Sequence, residues 1–251
     1  MSCNEDLADL VRLLLAEDRR YDGAAVPRDP AELWRLYRTL VNLRPPRPAD
    51  AGLLRIQDRV LDAVRAYRGV TDAAGLPGRV ALWRGDITTL ACGAIVNAAN
   101  SGLLGCFVPC HGCIDNAIHT YAGIQLRLAC AALMGGRTEP TGRAQITPGF
   151  HLPARYVLHT VGPIVDGPLT SAHRAQLRAC YRACLETAEA HGLDSVAFCC
   201  ISTGEFRFPR RPAAEIAVET VTDYLKTSAI QKVVFDVFQE EDCRIYAELL
   251  E

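Results

Sequence analysis

The feature that most constrains the fold is a series of short segments that are apolar at nearly every position. One of them runs from Val196 to Ile201 as Val-Ala-Phe-Cys-Cys-Ile. A strand with one face in water alternates apolar and polar residues, whereas a strand covered on both faces is apolar throughout. These segments therefore predict an α/β fold in which helices cover both faces of a sheet.

Strand-like and helix-like patterns alternate from residue 79 onward, which predicts a three-layer α/β/α sandwich. The predicted strands are 79–83, 94–97, 145–147, 156–161, 195–202 and 232–238. The predicted helices are 113–134, 172–191, 212–227 and 241–249.

The first 75 residues show only helical patterns. Apolar residues recur at helical spacing within 7–15, and a second helix is predicted to open at Asp29, a capping residue followed by proline. A third helical pattern covers 50–67. We expect an entirely helical extension over residues 1–75 and an α/β domain over residues 76–251.

The charge balance restricts the partners. The chain has 27 Lys and Arg against 29 Asp and Glu, so general nucleic-acid binding is not favoured and a phosphate ligand needs local geometry. No apolar run approaches the roughly 18 residues of a membrane span. The acidic N-terminus lacks the order of a secretory signal. We expect a cytoplasmic protein with no membrane partner.

Polar motifs follow three of the predicted strands, at the sheet edge where α/β folds bind ligands. These are Gly85-Asp86-Ile87-Thr88, Asn97-Ala98-Ala99-Asn100 and Ser202-Thr203-Gly204. Each has a plain structural alternative, namely a turn, a pair of Asx-turns and a helix cap. Their coincidence on one edge favours a ligand site, in which amides beside Gly204 at a helix N-terminus would hold a phosphate.

With Asp115 to His119, the order and spacing of these motifs resemble the signature of macrodomains, which bind ADP-ribose on an α/β/α sandwich with a mixed sheet. The resemblance covers about residues 79–251. It implies that Asp86 binds the adenine amino group, that Asn100 orients the distal ribose and that residues 202–206 cradle the diphosphate. The predicted ligand-binding residues are Asp86, Ile87, Asn97, Asn100, Asn116, Ser202, Thr203, Gly204, Glu205, Phe206 and Phe238.

The position of Phe238, at the end of the last predicted strand, is suited to stacking on adenine. The alternative is a core phenylalanine.

The segment Gly105–Cys113 departs from common hydrolytic macrodomains and is similar to a zinc-dependent branch of the family. That branch is often found beside sirtuin-type ADP-ribosyltransferases in bacteria and often has an N-terminal helical extension. In it, Cys106, His111 and Cys113 match the metal ligands. The resemblance thus implies a Zn²⁺ cofactor and a functional link to such a transferase.

Coordination chemistry supports zinc separately. Two thiolates and an imidazole within eight residues suit this borderline-soft ion, and three protein ligands leave the open position typical of catalytic sites. Three alternatives stay open. Cys110 is a fourth ligand, the cluster is a Cys–His nucleophilic pair, or the thiols are merely buried.

We predict that Asp115 and Asn100 are the catalytic residues. Asp115 would activate water or stabilise positive charge at the reacting carbon, or else it only caps the following helix. Asn116 would bind ribose or phosphate, or else face solvent. His119 and His159 are expected to be ordinary packed residues.

The predicted function is zinc-dependent removal of ADP-ribose from mono-ADP-ribosylated proteins, with an Asp or Glu ester as the expected linkage. No Rossmann glycine pattern follows the first strand, so a redox dinucleotide is not implied. The alternatives are a reader module that binds ADP-ribose without cleaving, a hydrolase of free nucleotides such as O-acetyl-ADP-ribose, and a zinc-stabilised structural module.

Overall fold

A six-stranded sheet lies at the centre of the α/β region in the structure, a computed structural model that describes residues 3–251. The strands are β1 (Thr71–Asp72), β2 (Val80–Arg84), β3 (Leu90–Ala91), β4 (Ala94–Ala98), β5 (Ala144–Pro148), β6 (Tyr156–Thr160), β7 (Ser195–Phe198) and β8 (Lys232–Val237). The central order is β2-β8-β7-β4-β6-β5, parallel except for β5, which runs antiparallel to β6. The sheet is therefore mixed, as predicted.

The interior strands are buried along nearly their whole length. In β8 only the first residue, Lys232, is not buried, and in β4 only the last, Ala98, is not. This confirms that the continuous apolar runs are strands covered on both faces, because an exposed face would have left every second residue in water.

In the part of the chain that the structure describes, eight α-helices flank the sheet or precede it. They are α1 (Cys3–Ala16), α2 (Pro30–Leu43), α3 (Ala51–Arg68), α4 (Ile114–Ala122), α5 (Ile124–Met134), α6 (Ser171–Ala190), α7 (Arg210–Leu225) and α8 (Glu240–Leu250). Within residues 3–251, no helix is both long and apolar enough to span a membrane. The cytoplasmic location stays a prediction.

Two predicted elements are wrong in extent. The single helix over 113–134 is divided at Gly123, whose φ of 91° breaks the helical backbone between α4 and α5. The strand predicted over 195–202 ends at Phe198, and the rest of the apolar run lies in a loop over 199–209. Apolar character records burial, and a buried loop meets that requirement as well as a strand does.

Helices α1, α2 and α3 pack around an apolar cluster that includes Leu10, Tyr37 and Val60. The cluster also takes in Ile124 of α5, so the helical segment is joined to the rest by packing. The expectation that residues 1–75 are entirely helical is wrong at β1, which pairs in parallel with β3. The division into residues 1–75 and 76–251 as separate domains stays a prediction.

Arg127 of α5 ties the end of α2 to the loop that follows β4. Its Nε donates to the Leu104 carbonyl at 2.6 Å. Its Nη1 donates to the carbonyls of Val41, Asn42 and Arg44 at 2.6–2.9 Å. Burial lowers the pKa of this guanidinium to about 10, so it stays charged at neutral pH.

Replacing Arg127 with Met is expected to lower the free energy of unfolding by about 3–5 kcal/mol, because buried carbonyls lose a charged donor. Urea denaturation measures this loss. Arg137→Met is the matched control, since Arg137 also donates to backbone carbonyls but is exposed, and a change of about 0.5 kcal/mol is expected there. Equal losses of unfolding free energy in the two variants would show that the buried hydrogen bonds of Arg127 do not hold α2 to the loop after β4.

Candidate active site

Asp115 lies in the first turn of α4 with its carboxylate directed at the end of β4. Asn97 Nδ2 donates to Asp115 Oδ1 at 2.8 Å, and Asn100 Nδ2 donates to Oδ2 at 3.3 Å. Only 4% of Asp115 is exposed. Burial raises the pKa of Asp115 to about 6, although the Asn97 hydrogen bond and then the charge of Arg127 lower it. A carboxyl of this kind exchanges a proton near neutral pH.

The alternative that Asp115 only caps its helix is wrong. The N-cap of α4 is Cys113, whose Sγ accepts a hydrogen bond from the Asn116 amide at 3.4 Å. Because the cap is already provided, the Asp115 carboxylate is available to face the sheet edge.

Asn97 is fully buried, which corrects its predicted role as a direct ligand contact. Its amide bridges Asp115 Oδ1 and His159 Nδ1, which lies 3.2 Å away. Asn97 therefore positions Asp115. Asn100, in contrast, is exposed, and its Oδ1 also accepts from the Gly102 amide at 3.0 Å, which is the Asx-turn anticipated from the sequence.

A second Cys/His group lies behind Asp115 and is wholly buried. Ligand atoms of His119, Cys130 and His159 lie within 4.8 Å of one another. Asn97 Nδ2 can only donate, so His159 Nδ1 accepts and its Nε2 carries the proton, which it donates to Thr147 Oγ1 at 2.9 Å. Both nitrogens of His159 are thus engaged, so this ring supports Asn97, whereas among residues 3–251 neither ring nitrogen of His119 has a hydrogen-bond partner.

His119 is buried, as expected, but it also contacts the candidate site. Its Nε2 lies 3.6 Å from Asp115 Oδ1. Burial, together with the nearby His159 and Arg127, holds the pKa of His119 well below its usual value, so the ring is neutral.

The loop before α4 brings together a candidate set of metal ligands. Atoms of Cys106, His111 and Cys113 lie within 4.8 Å of one another, with Cys106 Sγ 3.6 Å from His111 Nδ1. Burial, with smaller contributions from Cys106 and Asp115, raises the pKa of the Cys113 thiol to about 12. A coordinated metal deprotonates a thiol outright, so the donor set fits a zinc ion.

Cys110 lies in the same loop but faces away from this group. Its Sγ is 3.5 Å from Thr39 Oγ1 and 3.4 Å from the Arg35 carbonyl, both on α2. The geometry favours three protein ligands over four.

Helix α2, in the N-terminal segment, supports the loop 105–113, which is called the metal loop below because it carries the three candidate ligands. Arg38 Nη2 donates to Asn116 Oδ1 at 2.9 Å and to the His111 carbonyl at 3.3 Å. Asn42 Oδ1 accepts from the Cys110 amide at 2.9 Å. Asn116 is fully buried and also donates to the Val108 carbonyl, so its predicted contact with ribose or phosphate is corrected to a structural role.

The predicted diphosphate loop, 202–206, lies beside the metal loop. Glu205 Oε1 is 3.6 Å from His111 Nε2. Ser202 is buried with φ of 66°, Thr203 and Phe206 are half-buried, and Gly204 and Glu205 are exposed. Helix α7 begins only at Arg210, so the loop amides do not form a helix N-terminus, which corrects that expectation.

At the other end of the sheet edge, Asp86 caps the short 3-10 turn that begins with the buried Ile87. Its Oδ1 accepts from the Thr88 amide at 2.9 Å. Its Oδ2 accepts from Arg68 of α3. Phe238 follows β8 and is 72% exposed, so it is not a core residue, and its ring is free to stack on a ligand.

Asp236 on β8 is a buried carboxyl near Asp86, and within residues 3–251 its Oδ1 has no hydrogen-bond partner. Burial and then the charge of Asp86 raise the pKa of Asp236 to about 8, although a hydrogen bond from the Gly85 backbone lowers it. The nearby Cys199 and Cys200 thiols have pKa values raised by burial and stay neutral.

We expect Asp236→Asn to remove a pH dependence of stability. The folded protein holds a proton on Asp236 that the unfolded chain releases above about pH 4, so wild-type stability falls as the pH rises toward about 8. Urea denaturation between about pH 5 and 8 should show a smaller decline for the variant. Asp22→Asn, at an exposed carboxyl, serves as control and keeps the wild-type slope. An unchanged slope in Asp236→Asn would contradict this account.

Several residues that build the site were missed in the sequence. They are Arg38, Asn42, Arg68, Arg127, His119 as a neighbour of Asp115, and Asp236. All of them except Asp236 lie on helices, where a polar residue normally faces solvent. Asp236 was the one detectable signal, since an acidic residue inside an apolar strand is rare without a function.

Known proteins match both the sequence and the fold. The sequence pattern of the Macro domain family matches residues 96–217. A protein-ADP-ribose hydrolase from Treponema medium is 50% identical to this chain, and the match covers 96% of each of the two chains. Another from Staphylococcus aureus is 46% identical and covers 96% of this chain and 93% of its own. A mutant of the Oceanobacillus iheyensis macrodomain with ADPR is 38% identical, with a TM-score of 0.63, and covers 68% of this chain and 91% of that one.

The chain therefore belongs to the macrodomain family. The α/β fold with its mixed sheet and flanking helices is the fold of that family's solved members.

Proposed function

We propose that this protein is a zinc-dependent hydrolase that removes ADP-ribose from mono-ADP-ribosylated proteins. One observation carries the proposal. The buried carboxyl of Asp115 is held by two amides at the sheet edge and lies two residues from a compact Cys-His-Cys group. A reader module needs neither a carboxyl that exchanges a proton near neutral pH nor a metal beside it.

The residues that would hold the metal are Cys106, His111 and Cys113. A zinc ion bound there supplies Lewis-acid polarisation of an oxygen on the linkage or the distal ribose. Glu205, 3.6 Å from His111, is placed to orient the imidazole, as carboxylates commonly do for metal-binding histidines.

Asp115 acts as the general base in this proposal. Its Oδ1 is held by the buried Asn97, while Oδ2 lies toward the exposed Asn100, which makes Oδ2 the oxygen on the ligand side. We assign the proton taken from the attacking water to Oδ2. Asn100 orients the ribose through its exposed amide and keeps the carboxylate aligned.

The nucleotide would lie along the sheet edge between two ends. Asp86 and the exposed Phe238 hold the adenine, and the amides of 202–206 hold the diphosphate. The names of the Treponema and Staphylococcus relatives support a protein-linked substrate, and the Oceanobacillus structure supports the ligand.

The linkage we propose is an ester to an Asp or Glu side chain. Water attacks the anomeric carbon of the distal ribose as Asp115 takes its proton, the bond from that carbon to the ester oxygen breaks, and the Asp or Glu side chain leaves as a carboxylate. Lewis-acid polarisation of the ester carbonyl would stabilise that leaving group. The modifying enzyme would be a sirtuin-type ADP-ribosyltransferase, which is proposed on the sequence resemblance.

The test is incubation with a protein mono-ADP-ribosylated on Asp or Glu, beside free O-acetyl-ADP-ribose as a second substrate. We expect release of ADP-ribose from the protein, with the zinc content of the enzyme measured in parallel. Tight binding of the modified protein without release would instead indicate a reader. Cleavage of O-acetyl-ADP-ribose alone would indicate a hydrolase of free nucleotides.

A further inference from the structure

We infer that the last turn of α3 completes the adenine end of the site, with Arg68 as a positioning residue that sets selectivity for a 6-amino purine. The inference rests on the proposed recognition of ADP-ribose and adds a determinant from the N-terminal helical segment. It concerns which base the site accepts and is independent of whether the ligand is cleaved.

Arg68 is held from three sides. Its Nη2 donates to Asp86 Oδ2 and, at 2.9 Å, to Thr88 Oγ1. Its guanidinium lies 3.8 Å from the centre of the Tyr121 ring on α4, in cation–π geometry. The side chain is only 18% exposed. Gly69, with φ of 77°, ends the helix immediately after it, so the guanidinium stays at the sheet edge while the chain turns away.

The hydrogen bonds that the Asp86 carboxylate already accepts leave one of its lone-pair positions free for a ligand. A carboxylate has about four lone-pair positions. Oδ1 uses two of them, for the Thr88 amide at 2.9 Å and the Thr88 hydroxyl at 2.6 Å. Oδ2 uses one for Arg68, which leaves one free on a side chain that is 41% exposed.

That free acceptor defines the ligand chemistry. The exocyclic amine of adenine donates an N–H to it, whereas a 6-oxo purine presents a carbonyl oxygen that repels it. Arg68 fixes the direction of the remaining lone pair through its hydrogen bond to Oδ2. Without Arg68, Oδ2 loses its hydrogen bond while Oδ1 stays held by Thr88, so the free lone pair is no longer aimed at the exocyclic amine and ADP-ribose loses its advantage over the 6-oxo analogue.

The test is calorimetric titration of the full chain with ADP-ribose and with the inosine analogue, which has a 6-oxo group. Wild type is expected to bind ADP-ribose at least about tenfold more tightly. Arg68→Ala should weaken ADP-ribose binding by about tenfold and bring the two affinities within roughly threefold. Arg68→Lys, which keeps the charge but not the planar donor pair, should lie between them.

Arg65→Ala is the matched control, because Arg65 also lies in the last turn of α3 but pairs with Asp62. It should keep the wild-type ratio, and thermal melting of each variant checks folding. An Arg68→Ala variant with an unchanged ratio of the two affinities, with both affinities weakened equally, or with tighter ADP-ribose binding would overturn the inference. A wild-type protein that binds neither ligand would overturn it too. If Arg68→Ala brings the two affinities together as expected, but the wild-type protein releases no ADP-ribose from a modified protein, the inference is supported and only the hydrolase proposal is overturned.

Discussion

Replacing Asp115 with Asn is expected to slow the release of ADP-ribose from a modified protein by about a hundredfold to ten-thousandfold. The amide keeps the size of the carboxyl and still offers an oxygen to the Asn97 donor. It does not accept a proton from water at neutral pH, so the chemical step loses its base. Affinity for ADP-ribose should stay within a few-fold of wild type, because ligand binding is assigned to other residues.

Single-turnover release of labelled ADP-ribose measures this effect and separates it from product release. Asp242→Asn is the matched control, since Asp242 is also a buried acid in the first turn of a helix, α8, but pairs with Arg210 rather than with Asn97 and Asn100. That variant should lose stability but keep its rate once folded. A wild-type rate in Asp115→Asn would show that the carboxyl is not the base.

Replacing Cys113 with Ser should remove the metal and most of the activity. Ser is a favoured N-cap, so the substitution preserves the start of α4 while exchanging a thiolate ligand for a hydroxyl. We expect zinc affinity to fall by more than the roughly 10–100-fold that loss of an outer-shell partner causes. Zinc content after purification and the rate of release should decline together.

Cys110→Ser tests whether Cys110 is a metal ligand or only a neighbour of the ligands in the same loop. The Cys110 sulfur faces Thr39 and the Arg35 carbonyl, which a hydroxyl also satisfies. This variant should keep both zinc and activity. Stoichiometric zinc in Cys113→Ser, or its loss in Cys110→Ser, would mean that the ligand set is wrong.

The features that the sequence predicted well are those encoded within a few residues. The metal loop and Asp115 lie within ten positions of one another, and the helix that follows brings them together. The apolar strands predicted the layered sheet because burial on both faces leaves a continuous signature. The helix cap predicted at Asp29 is present, with its side chain accepting from the Ala31 and Glu32 amides.

The features that were missed depend on contacts between distant segments. Arg38 meets Asn116 across 78 positions, and Arg68 meets Asp86 across 18. A basic residue on a helix has the same pattern whether it faces solvent or a site. Asn97 and Asn116 were given ligand roles because their burial is set by the packing of other elements, which no local pattern records.

The N-terminal helices contact the candidate site. They were expected to form an appended extension, yet α2 holds the metal loop and α3 holds Asp86. Substitutions in this segment should therefore change ligand selectivity and metal retention as well as stability.

Metal removal and restoration test the central claim most directly. Chelator-treated protein is assayed for zinc content and for release of ADP-ribose from a modified protein, before and after one equivalent of Zn²⁺ is returned. We predict that the rate falls with the zinc content, that ADP-ribose still binds, and that added zinc restores the rate in wild type but not in Cys113→Ser. A full rate in protein that contains no metal would contradict zinc-dependent hydrolysis.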